Sequence, residues 1–271
     1  IVIPNKDHVE DLRRCIQSIV NKSTWTNYEI VVVENNSKEQ SIFDYYKELE
    51  ALPQVQVVTY EGEFNYSRIN NFGVSKTRGE YLLLLNNDTE VITPDWMEQL
   101  LMYAQRKDVG AAGAKLYYGD DTIQHAGVVI GLGAHRSAGH THYKMPRQHL
   151  GYMGRLCYAQ DVTAVTGACL MVSRAAYDQV GGLDESFTIS LNDVDFCLKL
   201  REAGYLNIFT PFAELYHYES KTRGMEEGEK LRRYERECAH FREKWKAQLD
   251  AGDPYYNPNF SLDYSDFTLR F

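Results

Sequence analysis

The chain has 271 residues, 44% of them hydrophobic and 13% aromatic, enough to bury a sizeable core in one large domain or in a domain with an appendage. Its formal net charge of -9 excludes nucleic acid as a general partner, because neutralising phosphates needs a basic footprint. The five cysteines, Cys15, Cys157, Cys169, Cys197 and Cys238, are odd in number and form no CxxC pair, which argues against a disulfide frame or structural zinc and for reduced thiols in the cytosol. No apolar run approaches a membrane span, and no signal peptide precedes the first strand. Because the chain opens inside the apolar run Ile1-Val2-Ile3, it reads as a piece of a longer protein whose flanks would carry peripheral membrane contacts or further domains.

Ile1-Val2-Ile3-Pro4 predicts a strand stopped by proline, and Asn5-Lys6-Asp7 leads into an amphipathic helix reaching Val20, with Leu12, Cys15, Ile16 and Ile19 on one face. Residues 28–33 predict a second buried strand, ending in Glu34-Asn35-Asn36-Ser37. A helix over 41–49, a strand over 55–59 and a helix over 65–77 lead to Leu82-Leu83-Leu84-Leu85. Four leucines without a turn residue fit a central strand of a parallel sheet, buried on both faces. Its carboxyl end meets Asn86, Asn87 and Asp88, which need solvent or a ligand to satisfy them. An Asx-rich turn ahead of the helix that Pro94 opens explains these three residues equally well when they are taken alone.

Strands alternating with helices of this length predict βαβ units and a parallel, doubly wound sheet. Three strands finish in polar clusters, at 5–7, 34–37 and 86–88, and on one edge of such a sheet these define a binding crevice. Neither GxxxxGKS/T nor GxGxxG follows the first strand, so P-loop and dinucleotide readings lose their support. Gly131-Leu-Gly133 lacks the third glycine.

Strands are expected over 109–117 and 126–130, followed by a stretch rich in glycine and histidine that reaches Leu150. It holds His125, His135, His140, His142 and His149. His140-Thr-His142 alone does not make a zinc site, and the stretch reads as a mobile loop or lid whose imidazoles bond to substrate or water. A strand over 166–172, a short helix from Ser173 to Val180 and a Gly181-Gly182 turn follow. Leu191-Asn192-Asp193-Val194-Asp195 opens a helix that stops at Gly204. Acidic residues in a first turn complement the helix dipole, so Asp193 and Asp195 taken by themselves read as capping rather than as a site. A strand over 205–210 closed by Pro211, a segment containing His217, a charged helix over 226–249 and an aromatic, proline-bearing arm over 253–271 complete the chain.

In this order and spacing, Ile1-Val-Ile-Pro4, Glu34-Asn-Asn-Ser37, Asn70-Asn71-Phe-Gly73, Asn86-Asn-Asp88, Gly181-Gly-Leu-Asp184, Asn192-Asp193-Val-Asp195 and His217 resemble the family 2 glycosyltransferases of GT-A fold. The bacterial enzymes that build rhamnose-containing and other surface polysaccharides are the most similar. The resemblance spans nearly the whole chain. It implies an α/β GT-A domain over 1–224, Rossmann-like, with a mostly parallel sheet flanked by helices. Residues 1–105 would form its nucleotide-binding half and 106–224 its acceptor and catalytic half, with the helix and tail 225–271 packed on it.

It also implies nucleotide-sugar contacts from Pro4, Asn5, Glu34, Asn36, Ser37, Asn70, Asn71, Asn86 and Asn87. Asn86-Asn87-Asp88 matches the DxD motif, whose last aspartate holds Mn2+ or Mg2+ on the diphosphate, although asparagine replaces the first aspartate. His217 matches a histidine that completes the metal site, and imidazole suits manganese better than magnesium. Asn192-Asp193 stands where the family has Glu-Asp, which assigns the general base to Asp193. The implied reaction is inverting transfer from a UDP-sugar or dTDP-rhamnose to a hydroxyl of a glycan or lipid-linked glycan, in the cytoplasm at the inner face of the membrane. A single direct displacement needs one catalytic carboxylate. The acceptor would enter near residues 135–154, touching His125, Tyr143, Tyr152 and Asp195. Asn86 and Asn192 also motivate an alternative, a catalytically inactive sugar-binding module of the same fold. A nucleotidyltransferase is disfavoured by the absence of a glycine- and arginine-rich loop after Ile3.

Overall fold

A computed structural model describes residues 1–219 and 228–270. The expected boundary at 224/225 and the first residues of the expected charged helix lie outside the described residues.

The first half alternates strand and helix: β1 (Val2–Asn5), α1 (Val9–Lys22), β2 (Ile30–Glu34), α2 (Gln40–Leu49), β3 (Val55–Thr59), α3 (Tyr66–Ser75) and β4 (Tyr81–Leu85). β1 pairs in parallel with β2 and β4, and β2 with β3. Helices cover both faces, so Val31, Val32, Leu84 and Leu85 are sealed from solvent, which is why these strands are apolar without alternation. α3 lies so close to the sheet that a Cβ on Gly73 would stand 2.5 Å from a Val2 methyl and 2.7 Å from a Val33 methyl. Only glycine permits that approach.

The second half comprises β5 (Thr89–Val91), α4 (Trp96–Ala104), β6 (Val109–Tyr117), β7 (Ile123–His125), β8 (Val128–Ile130), β9 (Ala138–His140), β10 (Gln160–Val162), β11 (Cys169–Ser173), α5 (Arg174–Gln179), α6 (Asn192–Glu202), β12 (Leu206–His217), α7 (Glu229–Lys244) and α8 (Lys246–Ala251). The sheet order is β10-β12-β6-β11-β4-β1-β2-β3. β11 runs antiparallel to both β4 and β6, so the sheet is mixed and the doubly wound parallel pattern ends at β4. The excursion between β6 and β11 is built of short strands and carries no crossover helix, so the chain returns in the opposite direction.

Two expectations change here. Pro211 does not close a strand: β12 continues to His217, with a register shift against β6 between Thr210 and Glu214. Proline sits in that bulge, where its missing N–H costs no ladder bond. The extension pairs His217 with Thr89 in β5. The glycine- and histidine-rich stretch is no open lid either. Its β8–β9 hairpin packs under the tail, where Tyr256 and Phe267 close over Val129 and Leu132. Asp253 Oδ2 accepts the Ile130 N–H at 2.9 Å, which fixes the start of that tail. Among the described residues, no helix is long and apolar enough to cross a membrane.

Candidate active site

The carboxyl ends of β1, β2 and β4 open onto a cavity of about 490 Å³. Pro4, Asn5, Asn86, Asn87, Asp88 and His217 line it as expected from the motifs, together with Lys6, Asp7, His8, Asn35 and Tyr66 and, from α7, Lys230 and Arg233. A buried polar chain spaces the strand ends. Asn87 donates to Asn5 Oδ1 at 2.6 Å, Asn5 donates to the Tyr46 hydroxyl at 2.8 Å, and Tyr46 donates to Glu34 at 2.5 Å.

Glu34, Asn36 and Ser37 do not line the cavity. The Glu34 carboxylate is buried and spent on Tyr46 and on the Ser37 N–H and hydroxyl, both at 2.6 Å. Ser37 Oγ in turn accepts the Asp7 N–H at 2.7 Å, while Asp7 Oδ1 accepts the Lys38 and Glu39 N–H groups at 2.7 and 3.0 Å. These bonds hold Asp7 and His8 in left-handed conformations (φ 51 and 52°), an uncommon backbone that persists where neighbours fix it. Although what burial there is works to raise the Asp7 carboxyl, the two N–H bonds and the charges of Lys6 and His8 hold it below the usual range. Asn36 donates to the Gly62 carbonyl at 2.7 Å, so Glu34, Asn36 and Ser37 brace the wall and Asn35 forms it.

Asn70 and Asn71 are likewise structural. Asn70 is fully buried and donates to the Tyr66 carbonyl at 2.8 Å. Asn71 donates to the Leu183 carbonyl at 3.0 Å, and its Oδ1 accepts the Leu183 N–H at 3.0 Å and the Tyr177 hydroxyl at 2.6 Å. This clasp ties α3 to the Gly181-Gly182 turn, which explains the motif without a nucleotide.

His217 Nε2 lies 3.1 Å from Asp88 Oδ1 and 3.1 Å from the Asn86 amide nitrogen. Gln124 sets the imidazole tautomer. Its amide nitrogen donates to Glu219 at 2.7 Å, so its oxygen faces His217 Nδ1 at 2.8 Å and takes that ring's N–H. Nε2 then presents its lone pair beside the Asp88 carboxylate, a donor set that fits a divalent cation. Among the described residues, no group of three or more His, Cys, Asp or Glu is placed to hold a metal, so a cation here would draw its other ligands from substrate and water oxygens.

A second cavity, of about 400 Å³, adjoins the first through five shared residues, Tyr66, Asn86, Ile189, His217 and Glu219. Asp193 lines it, with Asn192, Gln124, His140, Thr166 and Gly167. The Asp193 carboxylate is oriented by the Gly167 N–H on Oδ2 and the Val194 N–H on Oδ1, each at 2.8 Å. Each oxygen retains lone-pair capacity for a further proton. A Cβ on Gly167 would fall 3.2 Å from the Tyr66 hydroxyl and 3.3 Å from Asp193 Cβ, so any other residue would press these two side chains back by a few tenths of an ångström.

With this geometry described, the chain can be compared with known proteins. The family model described as glycosyl transferase family 2 matches residues 1–181. The chain belongs to glycosyltransferase family 2. It is 47% identical over 99% of its length to an uncharacterized protein, y4gI, of Sinorhizobium fredii, and 34% identical over 100% of its length to the O-antigen biosynthesis protein RfbC of Myxococcus xanthus. It spans 30% and 21% of those two proteins. The fold matches the crystal structure of GalNAc-T7 with UDP, GalNAc and Mn2+ (TM-score 0.69, 16% identity, 92% of this chain and 49% of that one). It also matches the mannosyltransferase PcManGT of Pyrobaculum calidifontis in complex with GDP-Man and Mn2+ (TM-score 0.65, 14% identity, 92% and 67%). The fold is GT-A.

The four residues expected at the acceptor line neither cavity. His125 is fully buried, its Nδ1 2.9 Å from His140 Nδ1 and its Nε2 accepting the Thr166 N–H at 3.4 Å. Burial, with the charges of His140 and His217, drives its pKa well below that of a free imidazole. His140 is the member of the pair at the cavity wall. Tyr143 is exposed and meets the Tyr118 hydroxyl at 3.2 Å, and Tyr152 stacks on Phe267 of the tail at 5.3 Å. Asp195 is fully buried, accepting Trp245 Nε1 at 2.8 Å and Lys244 Nζ at 2.6 Å. On α6 it stands two residues from Asp193, which turns it away from that side chain. Tyr66, Gln124, His140, Gly167 and Ile189, which line the second cavity, carry no motif spacing, and of them only His140 falls in the histidine-rich stretch whose imidazoles are expected to meet substrate.

Proposed function

We propose that this family 2 enzyme is an inverting, metal-dependent glycosyltransferase that moves a sugar from a nucleoside diphosphate to a hydroxyl of a glycan or lipid-linked glycan. The observation that carries the reading is the pair of adjoining cavities, with Asp88 and His217 in one and Asp193 in the other. We assign the half proposed for residues 1–105 mainly to the donor side and that proposed for 106–224 mainly to the acceptor side, with Tyr66 and Asn86 of the first and Ile189, His217 and Glu219 of the second lining both cavities.

Asp88 and His217 would hold the cation, which when bound supplies positive charge to stabilise the departing diphosphate. Lys6, Lys230 and Arg233 add charge from the walls of the same cavity. The acceptor hydroxyl oxygen attacks the anomeric carbon as its proton passes to an Asp193 oxygen. The new carbon–oxygen bond forms while the bond to the phosphate oxygen breaks, and the electron pair leaves with the nucleoside diphosphate. Asn86, which accepts from Tyr66 at 3.2 Å and donates toward His217, spaces the two cavities, a task an amide performs without adding charge. Asn35 lines the donor cavity, and its buried Oδ1 has no hydrogen-bond partner among the described residues. That acceptor suits the imide N–H of uracil or thymine, which favours a UDP-sugar or dTDP-rhamnose.

The relative named for O-antigen biosynthesis, together with a 40% match over 60 residues, 22% of this chain, to an N-acetylglucosaminyl-diphospho-decaprenol L-rhamnosyltransferase of Mycobacterium tuberculosis, supports bacterial surface polysaccharide as the product. The diphospho-decaprenol in the second name also supports a lipid-linked acceptor. The test is Asp193→Asn, assayed with Mn2+ and a panel of nucleotide sugars. Turnover is expected to fall by roughly 10²- to 10⁴-fold while donor binding holds within about threefold. Transfer at the normal rate would remove Asp193 from the role.

A further inference from the structure

The loop that delivers Asp193 to the cavity is held by a carboxylate on a distant helix. Glu237 in α7 is buried, and its two oxygens accept four hydrogen bonds from three consecutive residues. Oε1 takes the Thr188 N–H at 2.8 Å, the Thr188 hydroxyl, and the Ile189 N–H at 3.1 Å, and Oε2 takes the Ser190 N–H at 3.0 Å. Ile189 forms a wall common to both cavities. Leu191, next in the chain, caps α6 in a left-handed conformation (φ 64°), a strained state for a residue with a branched side chain. Its carbonyl accepts the Asp195 N–H at 2.8 Å, which starts the helix that carries Asp193.

We propose that Glu237 is a positioning residue of the transfer reaction: by binding the backbone of residues 188–190 as an internal anion, it fixes the left-handed turn at Leu191 and so the place of the base. Three successive N–H groups directed at one carboxylate form the kind of concavity that binds anions. A charged acceptor suits it, since every partner donates. The same helix lines the donor cavity with Arg233, four residues before Glu237, and that spacing puts both on one face. One rigid element thus touches the donor site and sets the acceptor-side base.

The inference rests on Asp193 being the base, and the experiment separates the two. In Glu237→Gln the amide keeps an oxygen for some donors but turns an N–H₂ group toward others. Hydrogen exchange at the amides of 188–190 is then expected to speed by about tenfold, and kcat to fall by about tenfold or more, with donor Kd in Mn2+ held within about threefold. Thr188→Val, which deletes one bond and no charge, is expected to lower kcat by about two- to threefold, and it carries the test if the Gln variant does not fold. Unchanged exchange and kcat in the variant that folds, or equal factors lost from kcat and donor affinity, would overturn the proposal. If Asp193→Asn remains active while the Glu237→Gln loop exchanges faster, the base assignment fails and the clamp stands. If Asp193→Asn is dead and Glu237→Gln is normal, the clamp fails alone.

Discussion

The cavities proposed for donor and acceptor share walls but are made in different ways. The donor cavity draws its floor from the ends of adjacent parallel strands, which supply the runs 4–8 and 86–88. The acceptor cavity is walled by a hairpin strand, by loops and by a helix start, at 138–140, 166–168 and 189–194, with single residues such as Gln124. These are positioned by polar clamps, such as Glu237 on the 188–190 loop. A sheet edge holds its ligand residues through the backbone ladder, whereas a loop-built site depends on side chains that reach across the fold.

The largest effect expected from that difference lies on the donor side. Wild-type protein with Mn2+ and a donor at 1,000 times its Kd should gain about 4.1 kcal/mol of stability, seen as a rise in Tm. Asp88→Ala, or chelation of the metal, should remove most of that gain. Asp193→Asn should keep it, because its residue belongs to the other cavity. An Asp88→Ala protein that still shows the full metal-dependent shift would undo the assignment of that carboxylate.

The contrast also accounts for what could be read in advance. The alternation of 1–85, the apolar run 82–85 and the clusters at 5–7 and 86–88 are local patterns, and they point to the cavity proposed for the donor. Spacing could not tell a wall from a brace: Glu34, Ser37 and Asn71 occupy motif positions, yet their hydrogen bonds all go to the fold. The passage of β12 through Pro211 was hidden because a bulge absorbs the missing donor. The exchange of His125 for His140 depends on a hairpin register that no pattern in the stretch 126–150 specifies.

The next largest effect concerns the attachment of α7 to α6. Lys244 bridges buried Asp195 and half-buried Asp184 at 2.6 and 2.7 Å. Lys244→Met leaves the Asp195 charge without its cation, and removing one partner of a buried pair costs about 3 kcal/mol. Burial raises Asp195 even against the pull of Lys244 and Trp245. Burial also works against Asp184, but bonds from Lys244 and Ser186 outweigh it and hold that carboxyl well below the usual range. A depressed carboxylate contributes stability above its unfolded value and loses it as pH falls through its folded value, while a raised one is relieved by protonation. Both signs make the deficit of Lys244→Met largest at neutral pH and smaller toward pH 4. Denaturant titrations at pH 7 and pH 4.5 measure this, and an equal deficit at the two would contradict it.

The smallest effect is confined to the tail, which tests whether the side-chain-clamped half yields before the sheet edge. His142 is buried against Phe267 at 4.9 Å, its Nε2 accepts the Tyr152 N–H at 3.3 Å, and its backbone N–H bonds to Ser265 at 2.7 Å. Burial first, then the charges of Arg155 and His149, lower its pKa to about 3 from 6.5. In that interval the unfolded chain takes a proton that the folded chain refuses, so stability rises with pH by at most about 1.4 kcal/mol per unit. The contribution is complete above pH 6.5 and declines as pH falls toward 3. The tail beyond Asp253, which packs on His142 through a cluster of rings, should therefore exchange its amides faster at pH 4.5 than at pH 7 after correction for intrinsic rates, while β1, β2 and β4 stay protected. His142→Phe keeps a ring beside Phe267 without a titrating nitrogen, so it should flatten that dependence at the expense of the Tyr152 bond. A tail that responds to acid identically in both proteins would place the sensitivity in another group.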